Sequence, residues 1–284
     1  MSSEMKGKRV VVTGASRGIG RETALAIGRM GADISLVVRD EARANTVAEE
    51  VRALGAEVDV FVADLSSMAD IRRMAEGLLE KHDRIDVLVN NAGALLMDRQ
   101  VTKDGYEATF ATNHLGYFLL TELLLDAVKK APAGRIVNVA SDAHHRGTID
   151  FGDLMSEKGY AGWRAYGASK LANILFTSEL ARRIEGTGVT ANSLHPGVIA
   201  SGFALNNKGI VGTLWKLMSP FLMSSENGAK TTVFLATDAS VAQVSGKYFS
   251  KCKQKTPSRE ARDASVATRL WEVSEKLVRV GAAR

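Results

Sequence analysis

Two hydrophobic rhythms alternate along the chain. Short runs rich in Val and Ile recur at 9–14 (RVVVTG), 33–38 (DISLVV), 57–64 (EVDVFVAD), 85–91 (IDVLVNN), 135–141 (RIVNVAS), 189–195 (VTANSLH) and 246–250 (GKYFS). Their polar and apolar positions alternate only in part, as in strands buried on both faces. Longer stretches with helical spacing fill the gaps at 18–30, 40–54, 66–82, 104–130, 165–185 and 264–280. In 104–130, Tyr106, Phe110, Asn113, Tyr117, Leu120 and Leu124 stand three and four residues apart and make one buried stripe. Pro132, Pro196, Pro220 and Pro257 all fall outside these elements, where proline breaks neither a helix nor a ladder. Strand–helix alternation of this kind predicts one parallel sheet covered by helices on both faces. Right-handed crossovers then give a doubly wound, Rossmann-like α/β fold, one domain spanning residues 1–284.

The turns between strands and helices carry the candidate chemistry. VVVTGASRGIG (10–20) sets Gly14, Ser16, Arg17, Gly18, Ile19 and Gly20 between the first strand and the first helix. Glycines there permit a tight turn and close backbone approach to a pyrophosphate, and the helix N-terminus supplies N–H groups to the phosphates. The spacing is Gly-x3-Gly-x-Gly, which differs from the commonest dinucleotide fingerprint. The second strand ends in Arg39, where an acid would favour a free ribose 2′-OH. A guanidinium there matches a 2′-phosphate, with Arg17 as a second positive contact, so NADP is expected in preference to NAD. Asp64, followed by Leu65 at the end of the third strand, is placed for the adenine edge.

Tyr166 stands four residues before Lys170 in RAYGASKLANILF, so both share one helix face. A free phenol titrates near pH ~10, and a neighbouring ammonium favours the phenolate. The pair is therefore a candidate acid–base unit. Ser141 ends the fifth strand, at the rim where open α/β sheets bind ligands, and could hold a substrate oxygen. Asn113, an amide on a buried helical stripe, suggests a required polar group that holds a water for proton relay. Asn91, Ala92 and Gly93 follow the fourth strand, and Pro196, Gly197 and Ser201 follow the sixth, all as cofactor contacts.

TGASRGIG, NNAG, Asn113, Ser141, YGASK and HPG together resemble the short-chain dehydrogenase/reductase superfamily. The resemblance implies about seven strands and a hydride passed between a nicotinamide and a substrate carbon. It makes Tyr166 the acid/base, and Lys170 the group that lowers its pKa and holds the nicotinamide ribose. It makes Ser141 the substrate-positioning hydroxyl and Asn113 the support of a water relay. DGYEATFATNHLGYFLLTELLL, RIVNVASDAHHRG and YGASKLANILFTSELARRI further resemble the retinol dehydrogenase-like branch, which acts on retinoids and other lipophilic carbonyl compounds, usually with NADP. Animal members of that branch often carry an N-terminal membrane anchor, and none is read here. Two alternatives stay open: a nucleotide-sugar epimerase or dehydratase on the same fold, and a dinucleotide-binding sensor without catalysis.

Composition trims the partners. The 37 basic and 32 acidic residues are spread along the chain, which argues against nucleic acid. Lys247, Lys251, Lys253, Lys255, Arg259 and Arg262 form one local excess, read as a solvated basic loop. Cys252 is the single cysteine, so no internal disulfide forms, and with no apolar leader in MSSEMKGKRVVVTG the expected location is the cytoplasm. No membrane span is expected. The apolar segment 202–223, with Phe203, Leu214, Trp215 and Phe221, is expected to be a small helical cap over a lipophilic substrate. Trp215 and Lys216 would also suit a shallow membrane contact. His144 and His145 sit side by side on a loop, and no metal site is expected from them. Homo-oligomers are common in the superfamily, but no interface can be read.

Overall fold

A computed structural model describes residues 4–197 and 223–280. The segment expected to form the cap lies outside the described residues, apart from Met223, as does Ser201. Strand β1 (Arg9–Thr13) leads into helix α1 (Gly18–Arg29), β2 (Asp33–Val38) into α2 (Glu41–Arg52), and β3 (Val58–Val62) into α3 (Met68–Lys81). After β4 (Val87–Asn90), α4 (Ala108–Phe110) runs through a π-turn at Ala111–Leu115 into α5 (Gly116–Lys129). Then come β5 (Arg135–Val139), α6 (Gly162–Arg183), β6 (Thr190–His195), α7 (Ser225–Thr237), β7 (Tyr248–Ser250), β8 (Lys253–Lys255) and α8 (Ala264–Val280).

Among the described residues, eight strands form one sheet in the order β3-β2-β1-β4-β5-β6-β7-β8. The first seven are parallel; β8 returns antiparallel to β7. The expected seven parallel strands are present, and this short edge strand adds an eighth. Its turn places Lys251 and Cys252 at φ 53° and 57°, the paired left-handed residues of a two-residue hairpin. Such turns usually announce themselves through Asn or Gly, and this one has neither. Helix α7 also had no sequence expectation, because its Thr- and Gly-containing stretch shows little apolar periodicity. It packs against α1 and closes one face of the sheet.

Strand residues feed two cores in alternation. Val11, Leu88 and Ile136 face Phe118, Phe176 and Trp271 on one side, while Val10, Val12 and Leu36 face Ile27, Val47 and Val241 on the other. Two-sided burial explains why the strands read as nearly continuous apolar runs. No helix among the described residues is long and apolar enough to cross a membrane.

Buried polar groups mark special points. Glu107, fully buried, caps α4 by accepting from the N–H groups of Thr109 (2.8 Å) and Phe110 (2.7 Å). His114 is walled in by Phe110, Phe118 and Phe176, and its Nε2 pairs with Ser274 Oγ at 2.8 Å. Burial pushes its pKa down to about 3. The unfolded chain binds that proton near pH ~6.5 and the folded chain does not, so stability falls as pH drops from ~6.5 towards 3. The limiting slope is about 1.4 kcal/mol per pH unit. His144 and His195 are also held below the usual histidine range by burial and add to the effect. Urea unfolding of the parent and of His114→Asn between pH 7 and 5 should therefore show a shallower pH dependence in the variant, whatever its absolute stability. Equal slopes would show that His114 is not neutral in the fold.

Candidate active site

A cleft of about 870 Å³ opens at the carboxyl ends of β1 to β6. One wall is the glycine turn. Gly14 and Gly18 sit at φ 67° and 59°, a region that disfavours side chains. A Cβ on Gly14 would lie 2.8 Å from Ala92 Cα, and one on Gly20 2.4 Å from Gly14 O. The turn is thus pressed against the loop after β4, and buried side chains fix it there. Thr13 Oγ1 accepts from the N–H groups of Asn91 (2.8 Å) and Ala92 (3.0 Å). Asn91 Nδ2 donates to Thr13 O at 2.7 Å, and Tyr117 donates its hydroxyl proton to Ala92 O at 2.7 Å. Asn91 borders the cleft, but its amide is spent on the turn. The pattern of the chain assigns Thr13 no role and marks Tyr117 only as part of the buried stripe. A β-strand threonine and a stripe tyrosine look like core until the loop that they hold is seen.

Gly14, Ser16, Arg17, Gly18, Ile19 and Gly20 all line the cleft, as do Arg39, Asp64, Leu65, Asn91, Ala92, Gly93, Pro196 and Gly197. The first turn of α1 has no side-chain cap from Arg17, which leaves its N–H groups for an anion. Arg43, missed in the sequence, joins Arg17 and Arg39 at the rim. Its place one turn after Arg39, at the start of α2, was the available signal. Asp40 caps α2 through Arg43 N (3.1 Å) and pairs with Arg43 Nε (3.1 Å). Arg39 itself makes no ion pair among the described residues. Asp64 accepts from Ser66 N at 2.9 Å and keeps its place at the rim.

The chemical end of the cleft joins β5 and α6. Ser141 lies two residues beyond β5 and accepts from Ala143 N at 3.2 Å. The Tyr166 hydroxyl hydrogen-bonds with Ser141. Lys170 Nζ, buried, donates to Val139 O at 2.9 Å and lies 5.6 Å from the Tyr166 ring centre and 5.8 Å from that of Tyr117. Here the structure changes the electrostatic picture. Burial pushes Tyr166 up to about 12 against the pull of the Ser141 hydrogen bond, and it pushes Lys170 down to about 7. The expected depression of the phenol by an adjacent ammonium does not emerge here: the lowering influence on Tyr166 is the Ser141 hydrogen bond, and desolvation dominates both groups.

Asn113 stands in the π-turn but behind the cleft wall. Its Oδ1 accepts from Ala94 N (2.7 Å), and its Nδ2 donates to Ala94 O (2.9 Å) and Ser169 Oγ (2.9 Å). Ser169 in turn donates to Tyr166 O at 2.8 Å. The amide thus ties the loop after β4 to the helix that carries Tyr166.

Asp142, His144 and His145 bring ligand-type atoms within 4.8 Å of one another. Hydrogen bonds already hold two of the three. His144 meets Ser141 O (2.7 Å) and Ser258 N (3.1 Å), while Asp142 accepts from Tyr248 OH (2.7 Å) and pairs with His195 Nε2 (3.2 Å). The group braces the turn after Ser141.

The residues present fit a dinucleotide: a cradle that a Cβ would fill, an uncapped helix start and arginines at the far rim. The comparisons agree. Residues 8–209 match the family model for short chain dehydrogenase. The chain is 44% identical over 277 residues to retinol dehydrogenase 12 of Mus musculus, covering 97% of this chain and 87% of that one. It is 44% identical over 281 residues to retinol dehydrogenase 13 of Homo sapiens, covering 96% and 85%. A solved structure from Mycobacterium paratuberculosis superposes with a TM-score of 0.79 at 34% identity, over 96% of this chain and 94% of the other. The chain belongs to the short-chain dehydrogenase/reductase family and is an oxidoreductase acting on CH–OH groups. Within it, the chain falls in the retinol dehydrogenase-like branch.

Thr13 offers a direct test of the wall. Thr13→Val keeps the volume but leaves the N–H groups of Asn91 and Ala92 without their acceptor. Stability should fall by about 1–3 kcal/mol, the cost of orphaned buried donors. Dinucleotide affinity, measured by titration calorimetry, should fall with it. A variant as stable and as tight as the parent would show that the loop stands without this bond.

Proposed function

We propose that the chain is an NADP(H)-dependent enzyme that interconverts a lipophilic alcohol and its aldehyde or ketone, with Tyr166 as proton donor and acceptor. The carrying observation is one cleft in which Tyr166, Ser141 and Lys170 meet at one end and Arg39, with no ion pair among the described residues, stands at the other. The bound nicotinamide would supply or accept the hydride. Ser141 would hold the substrate oxygen against the Tyr166 hydroxyl, and Tyr166 would protonate it during reduction or take its proton during oxidation. Lys170 would counter negative charge that develops on Tyr166. The lipophilic part of the reading draws on the composition of 202–223, outside the described residues, and on relatives named for retinol.

Arg39 and its neighbours support NADP over NAD. A charge-assisted contact to a 2′-phosphate is worth about 1.5–3 kcal/mol, or roughly ten- to a hundredfold in affinity. Arg39→Asp should erase or reverse that preference. Equal affinity of the unaltered enzyme for both dinucleotides would exclude the assignment.

The elevated phenol pKa sets a direction. Reduction needs Tyr166 neutral, which it is at pH 7 with a pKa near 12, whereas oxidation needs the phenolate. Between pH 7 and 9, ionisation of Tyr166 should make kcat/KM for alcohol oxidation climb relative to that for carbonyl reduction, by at most about tenfold per pH unit. The climb should be smaller where Lys170, with a pKa of about 7, loses the charge that supports the phenolate. A screen of aldehydes and ketones followed by NADPH absorbance, then the matching alcohols with NADP, measures both. Tyr166→Phe should lower turnover by about 10² or more and spare NADPH binding. A variant that keeps most of its turnover would remove Tyr166 from the mechanism.

A further inference from the structure

Among the described residues, four large apolar side chains are strongly exposed: Val62, Leu79, Val101 and Trp163. Only Trp163 lines the cleft. Its side chain is 49% exposed, an arrangement that forgoes the burial an indole normally gains. It stands three residues before Tyr166, and the two rings meet edge to face with centres 6.3 Å apart at 85°.

The indole is carried on a fixed support. Gly162, the first residue of α6, packs so closely that a Cβ there would lie 2.3 Å from Leu96 O and 2.8 Å from Met97 Cα. Tyr160 donates its hydroxyl proton to the same Leu96 O at 2.8 Å. The start of α6 is thereby pinned to the loop after β4, and Trp163 leaves this junction next to Leu96, which also lines the cleft. A reacting oxygen must lie within hydrogen-bond reach of the Tyr166 hydroxyl. A ring attached directly to the reacting carbon can then reach the indole at the centre separations of about 4.5–7 Å that aromatic pairs adopt, since Trp163 and Tyr166 line the same cleft.

We propose that Trp163 is a specificity-determining residue that selects substrates bearing an aromatic ring on the carbonyl or carbinol carbon. This rests on the oxidoreductase reading above and names a substrate class for the same site. Saturated groups of equal size fill the same space but gain only area, whereas a flat ring also gains the directional attraction of an aromatic pair.

The test compares benzaldehyde with cyclohexanecarbaldehyde, using whichever of NADPH and NADH the enzyme turns over faster. Intrinsic reactivity differs between the two aldehydes, so the readout is the change in their kcat/KM ratio from parent to variant. Trp163→Ala should lower the benzaldehyde-to-cyclohexanecarbaldehyde ratio by about three- to tenfold, the fold-change an aromatic pair contributes beyond its buried area. Trp163→Phe, which keeps a ring, should retain most of the preference. An unchanged ratio in Trp163→Ala overturns the proposal, as does equal loss in the Phe and Ala variants, and both results leave the oxidoreductase reading standing. No turnover of any carbonyl or alcohol by the unaltered enzyme would bring down both readings together.

Discussion

The site turns on one buried ammonium. Lys170 lies inside the protein with a carbonyl oxygen, Val139 O, as its hydrogen-bond acceptor at 2.9 Å, and with the faces of Tyr117 and Tyr166 beside it. Among the described residues no carboxylate pairs with it, and desolvation draws its pKa to about 7. The bond to Val139 does mechanical work as well. Val139 is the last residue of β5, the strand that leads to Ser141, and Lys170 belongs to α6, the helix that carries Tyr166. The spacing between serine and tyrosine is therefore tied to an amine whose charge has no carboxylate partner among the described residues. A negative charge appearing on the phenol would meet that need.

Around this point the protein spends its buried polar side chains on backbone. Thr13 and Asn91 secure the glycine turn to the loop after β4; Tyr117 and Asn113 secure that loop to the helices. Each such bond replaces water that the segment would otherwise need. The cleft wall is consequently made of main chain with small side chains, shaped from behind. Close approach of a large planar ligand requires such a wall, and glycines alone would leave it too pliant to hold one shape.

Much of this was legible in the chain. The seven parallel strands, the glycine turn and the Tyr–Lys helix face follow from periodicity and spacing, because two-sided burial and helical pitch act locally. What resisted reading depends on distance. Arg43 becomes a rim residue only once α2 is docked beside β2. Tyr117 and Thr13 resemble any core residue until a loop far along the chain arrives to bond with them. The opposing shifts of Tyr166 and Lys170 depend on how deeply α6 is packed, which the three residues between them cannot reveal. The hairpin at Lys251 and Cys252 uses left-handed backbone without the residues that favour it, and the surrounding fold supplies the constraint.

The π-turn at Ala111–Leu115 has a consequence for how this chain can vary in length. A wide turn holds one residue more than an α-turn, and each residue of a helix advances its phase by about 100°. Deleting a single position there would restore ordinary pitch with little change of phase between α4 and α5, because the wide turn already absorbs the extra residue. Phe110 and the Glu107 cap would then keep their places, as would Leu120 and Leu124. The loss would fall on the turn itself, where Asn113 ties the loop after β4 to α6. The extra residue is therefore a local device for aiming one amide, and the helix on either side is indifferent to it.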